Sequence, residues 1–80
     1  MNDGALDQVR QAVSDVFGVA VADVTAESSP QTIEAWDSMG HLNLVLALEQ
    51  NFGAELTPED IAAMTSVSAI CDVLKRKGKA

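Results

Sequence analysis

Tyrosine is absent from this chain of 80 residues, and one tryptophan and two phenylalanines are its only aromatic residues. The core must therefore be built from aliphatic side chains rather than from aromatics. Basic residues are equally scarce. Arg10 is the only one before residue 75; Lys75, Arg76, Lys77 and Lys79 sit together at the C-terminus, against 12 Asp and Glu and a net charge of −7. Such an anionic body repels phosphodiester backbones and anionic lipid, and its natural complement is a partner carrying a basic patch. Cys71 is the only cysteine, so no disulfide can close within the chain, and its place on an apolar helical stripe makes it a buried thiol. No cluster of His, Cys and carboxylates has metal-ligand spacing, so no metal site is expected. No apolar run reaches the length of a signal h-region or a membrane span, which predicts a cytoplasmic protein with no membrane span.

What is present is aliphatic. Hydrophobic residues make up 48% of the chain, enough for a core of Leu, Val, Ile and Ala, and Ala and Leu favour helix. Eighty residues allow one domain, 1–80, and a chain this short buries only about 60% of its unfolded surface, leaving little room for an enclosed active site. A binding or carrying monomer is expected ahead of an enzyme.

Leu6, Val9, Val13, Val16 and Phe17 recur at helical spacing, with Asp3 as N-cap, Gly18 as stop, and Arg10 with the acids on the wet side. From Gly18 to Trp36 the pattern dissolves, and Ser28-Ser29-Pro30 signals a turn, giving a long ordered loop pinned to the core by Val19, Val21, Val24 and Ile33. A second helix runs from about Ser38 to Phe52, roughly 22 Å, with Asp37 as N-cap and Gly53 at its end. Thr57-Pro58-Glu59-Asp60 starts a short third helix that breaks at Met64 to Ser66. Val67, Ile70, Cys71 and Leu74 then follow the i, i+3, i+4, i+7 template, and the basic residues beyond them suit a helix C-terminus. The expected fold is all-α: a small four-helix bundle of three longer helices and one short helix, with a long first loop.

At 100° per residue the second helix shows two apolar groups instead of one. Leu44, Val45, Leu48 and Phe52 form a core face. Met39, Leu42 and Leu46 form a second patch, with Glu49 on the boundary. That second patch is either buried on another side of a central helix or an exposed docking surface for a partner. Ser38 opens the helix beside this patch, where unpaired backbone N–H groups and the positive end of the helix dipole favour a phosphodiester on the serine oxygen.

The string Trp36-Asp37-Ser38-Met39-Gly40-His41-Leu42-Asn43-Leu44-Val45-Leu46-Ala47-Leu48-Glu49-Gln50-Asn51-Phe52-Gly53 resembles the phosphopantetheine attachment region of acyl carrier proteins. Their Asp-Ser-Leu core stands here as Asp37-Ser38-Met39. The likeness extends over nearly the whole chain: Phe17-Gly18-Val19 closing a first helix, a long loop, Leu56-Thr57 before a short helix, and a final apolar helix. It implies that a phosphopantetheinyl transferase moves 4′-phosphopantetheine from coenzyme A to Ser38, whose arm then bears acyl groups as thioesters, and that the carrier itself catalyses nothing. It further implies that Asp37 caps the helix beside the modified serine. The partners implied are acyl-loading and acyl-processing enzymes with basic or apolar docking patches, meeting Met39, Leu42, Leu46 and Glu49.

Carriers of fatty-acid synthesis usually bear several acids along this helix, where Gly40, His41, Asn43 and Gln50 stand here with Glu49 almost alone. The Asp-Ser-Met-Gly run also resembles D-alanyl carriers, and Trp36 before Asp-Ser resembles specialised stand-alone carriers. The reading taken is a carrier of a specialised pathway; a D-alanyl or aminoacyl carrier, a housekeeping fatty-acid carrier and an unmodified helical interaction module are the alternatives. Asp37, Ser38 and His41 lie within one turn, but as a hydrolase triad they lack an oxyanion hole and a cleft, and His41 projects towards the core side. His41 is expected as a partly buried polar residue near the entrance to an acyl-accommodating core, and Trp36 as loop-to-core packing.

Overall fold

A computed structural model describes residues 4–78, so Asp3, the expected first cap, lies outside the described residues. The chain forms α1 (Gly4–Phe17), α2 (Ser38–Phe52), α3 (Pro58–Ala63) and α4 (Val67–Arg76), with one 3-10 turn (Val21–Asp23) in the first loop. It is all-α, with three longer helices and one short one, and no strand occurs among the described residues. Gly18 and Gly53 adopt φ of 70° and 62° where α1 and α2 stop, a left-handed backbone that side chains with a Cβ resist.

The three longer helices each turn an apolar stripe inward. Val9, Ala12 and Val13 from α1, Leu44, Val45 and Leu48 from α2, and Val67, Ile70, Cys71, Val73 and Leu74 from α4 form one core, sealed by Val24, Ile33, Trp36, Leu56 and Met64 from the connections. Leu6, Val16, Phe17, Val19 and Phe52 pack around it half-buried. Val21 departs from expectation. It stands exposed on the 3-10 turn, because the loop is tied down there by its backbone and not by that side chain.

The tie is Arg10. Expected on the wet face of α1, it is half-buried and donates from Nε to the Val24 carbonyl (2.6 Å) and from a terminal nitrogen to the Val21 carbonyl (2.8 Å). Ser14 Oγ adds a bond to the Val19 carbonyl (2.6 Å). Farther along, the Val67 and Ser68 amides at the start of α4 donate to the Ser28 and Ala26 carbonyls (both 2.9 Å). The long loop is thus ordered by backbone acceptors bonded from two helices, which answers the polar accounting that a buried connection demands.

Candidate functional site

The approach to Ser38 is built from a row of rings. Trp36, 2% exposed, stacks on Phe17 of α1 (centroids 5.5 Å apart) and on His41 of α2 (6.1 Å). Its Nε1–H donates to His41 Nδ1 (2.9 Å), and Trp36 N closes a turn onto the Ile33 carbonyl (3.0 Å). Asp37 follows as an extended cap, with φ −98° and ψ −167°, and its Oδ1 accepts from Gly40 N (2.8 Å). Ser38 follows as the first helical residue, with its side chain exposed.

Gly40 makes this arrangement possible. A Cβ there would run into the Ala35 carbonyl oxygen and lie 2.7 Å from Phe17 Cε1 and 3.3 Å from Asp37 Oδ1. A helical glycine is otherwise a weak choice, so its presence marks the close approach of α2 to α1 and the loop. The sequence signal, a glycine inside an apolar helical run, was visible as a missing acid; the contact that requires it lies on other elements.

The two apolar groups on α2 have separate fates. Leu44 and Leu48 are fully buried and Val45 nearly so, whereas Met39, Leu42 and Leu46 are 70%, 53% and 57% exposed. The second patch is therefore a surface ridge that begins one residue after Ser38. Glu49 is not a free rim charge: it is half-buried, and its Oε2 accepts from the Leu56 amide (3.0 Å), pinning the loop after α2. On the other side of Ser38 an open cleft of about 760 Å³ runs between the start of α2 and α3, with Trp36, His41 and Leu42 on one wall and Pro58, Ile61 and Met64 on the other.

The residues fit a phosphodiester-linked group on Ser38. The hydroxyl is exposed, the Gly40 amide is taken by Asp37, and the amides of Ser38 and Met39 stay at the open end of the helix, where an anion is favoured. A hydrolase triad is not assembled: Asp37 is bonded to Gly40 and both ring nitrogens of His41 are engaged by Trp36 and the Ile61 carbonyl. Among the described residues, no group of three or more His, Cys, Asp and Glu is placed to hold a metal, and no helix is long and apolar enough to cross a membrane.

A family described as "phosphopantetheine attachment site" matches residues 7–74. The chain belongs to that family. Among solved structures it is similar to a holo acyl carrier protein from Geobacter metallireducens, with a TM-score of 0.81 and 27% identity over 91% of this chain and 84% of that one. The protein is thus a phosphopantetheine-carrying acyl carrier with the four-helix fold of such carriers, and carriers of this family are not catalysts.

Proposed function

We propose that Ser38 bears the phosphopantetheine arm and that the protein presents acyl groups to the enzymes of a specialised pathway in the cytoplasm, acting as one monomeric domain over residues 1–80. The observation that carries this reading is the position of Ser38. It is an exposed hydroxyl at a capped helix start, between an exposed apolar ridge and an open cleft. When bound, the arm supplies a terminal thiol for acyl groups. The chain's own residues do the rest: Asp37 holds the helix start, the ridge of Met39, Leu42 and Leu46 offers apolar area to the transferase and to loading enzymes, and the cleft receives what the arm carries.

The pathway half rests on charge. Glu49 is turned to Leu56, so the exposed side of α2 offers a cationic docking site almost nothing beyond Asp37 at its start. Rim charges act mainly on encounter rate and partner choice, so an apolar ridge without acids suits a different set of enzymes. The test is reconstitution with a housekeeping fatty-acid transacylase. The holo protein is expected to be acylated slowly, with weak salt dependence, and Asn43→Glu with Gln50→Glu is expected to raise the rate in a way that fades at high salt. A parent rate equal to that of a housekeeping carrier would assign the protein to ordinary fatty-acid synthesis instead.

A further inference from the structure

The cleft beside Ser38 ends against a hydrogen-bonded wall. An indole N–H can only donate, so Nδ1 of His41 is the acceptor from Trp36 (2.9 Å), and the ring proton is on Nε2, which donates to the Ile61 carbonyl (3.0 Å). That carbonyl also accepts from Met64 N (3.2 Å) at the end of α3. Among the described residues this is the one side-chain hydrogen bond joining α2 to α3. With the stacking of Phe17, Trp36 and His41, it makes a continuous bar from α1 across the mouth between α2 and α3.

We propose that the His41 bar keeps long acyl chains out of the interior and so restricts this carrier to short acyl groups, held along the open cleft; the proposal rests on reading Ser38 as the attachment point. A chain passing from Ser38 into the core must swing the imidazole aside. That strands the Trp36 N–H and loosens the Ile61 carbonyl in an apolar passage, where unpaired polar groups are costly. A short acyl group does not meet this penalty, since the cleft is already open to it and apolar at Leu42, Pro58 and Ile61.

The test attaches the cargo chemically, so it does not depend on any transferase. In Ser38→Cys the new exposed thiol is alkylated in the folded state with maleimide-linked pantetheine bearing an acetyl or a dodecanoyl tail, and mass confirms that buried Cys71 is untouched. The two forms are expected to melt within about 2 °C of each other, and long-range ¹⁵N spectra of His41 to show the proton on Nε2 in both. In the added background of His41→Ala, or of the milder Trp36→Phe, the dodecanoyl form is expected to melt about 10 °C or more above the acetyl form, as the tail enters the core. A rise of that size with His41 intact, with loss of its ring signature, overturns the proposal. So does the absence of any rise in both bar variants. Failure of a transferase to modify the unaltered chain would instead count against Ser38 as the attachment point and leave this result standing.

Discussion

Gly40 is the position where one added methyl should do most harm to the site. A Cβ there collides with the Ala35 carbonyl and Phe17, so Gly40→Ala must push α2 away from the segment that aims Ser38. Over-packing of this kind costs about 1–3 kcal/mol, and thermal melts are expected to show it together with slower modification of Ser38. A loss in melting alone, with the modification rate unchanged, would mean that Gly40 serves packing and not presentation. Leu46 and Leu48 make a sharper pair. Leu48→Ala empties a fully buried site and is expected to cost about 2–5 kcal/mol, while Leu46→Glu, on the exposed ridge, should change stability by no more than about 0.5 kcal/mol and yet impair transacylase docking. Melts ranking the two the other way would overturn the division of α2 into a core face and a docking ridge. The division was legible because two apolar groups on one wheel are unusual. The work of Gly40, Glu49 and His41 was not, because each acts on an atom from a distant element: the Ala35 carbonyl, the Leu56 amide and the Ile61 carbonyl.

At the scale of the element, α3 is the part with the least of its own to hold it. Six residues are too few for a helix to persist alone, so its attachments decide its position. A capping box joins Thr57 and Asp60 (Asp60 N to Thr57 Oγ1 3.1 Å, Thr57 N to Asp60 Oδ2 3.0 Å), and Lys77, just past α4, reaches Asp60 Oδ2 at 2.7 Å. The Lys77 ammonium, with help from the Thr57 amide, lowers the Asp60 carboxyl from 3.8 to about 2. Because the folded value lies below the unfolded one, this anchor is in full force above about pH 4 and is lost as the pH falls from 3.8 towards 2. Acid titration of the melting temperature is expected to steepen in that window, and Lys77→Met to flatten part of it; identical acid profiles for parent and variant would show that the bridge does not hold α3. The bounds of α2 and α3 could be read from Asp37, Gly53, Thr57 and Pro58, since caps act locally. The order of the first loop could not, because it depends on Arg10 reaching 11 and 14 residues ahead to two carbonyls. Arg10→Ala is expected to cost about 1–3 kcal/mol and to raise amide exchange from Val21 to Thr25, whereas protection unchanged there would assign the loop's order to Val24 and to the bonds from Ser14, Val67 and Ser68.

For the molecule as a whole, an acidic carrier with four of its five basic residues gathered at one end, sequence motif, capped helix start and exposure coincide at Ser38, which we read as the attachment point. Ridge, cleft and cargo act together only with the arm at that serine. The measurement that tests this most directly is intact mass, followed by peptide mapping, after incubation with coenzyme A, magnesium and a broad-specificity phosphopantetheinyl transferase. One added phosphopantetheine per chain, mapped to Ser38, is expected, with a Ser38→Ala variant that folds as the parent does and gains nothing. A modified Ser38→Ala chain, or a parent left unmodified under conditions that convert a control carrier, would contradict it.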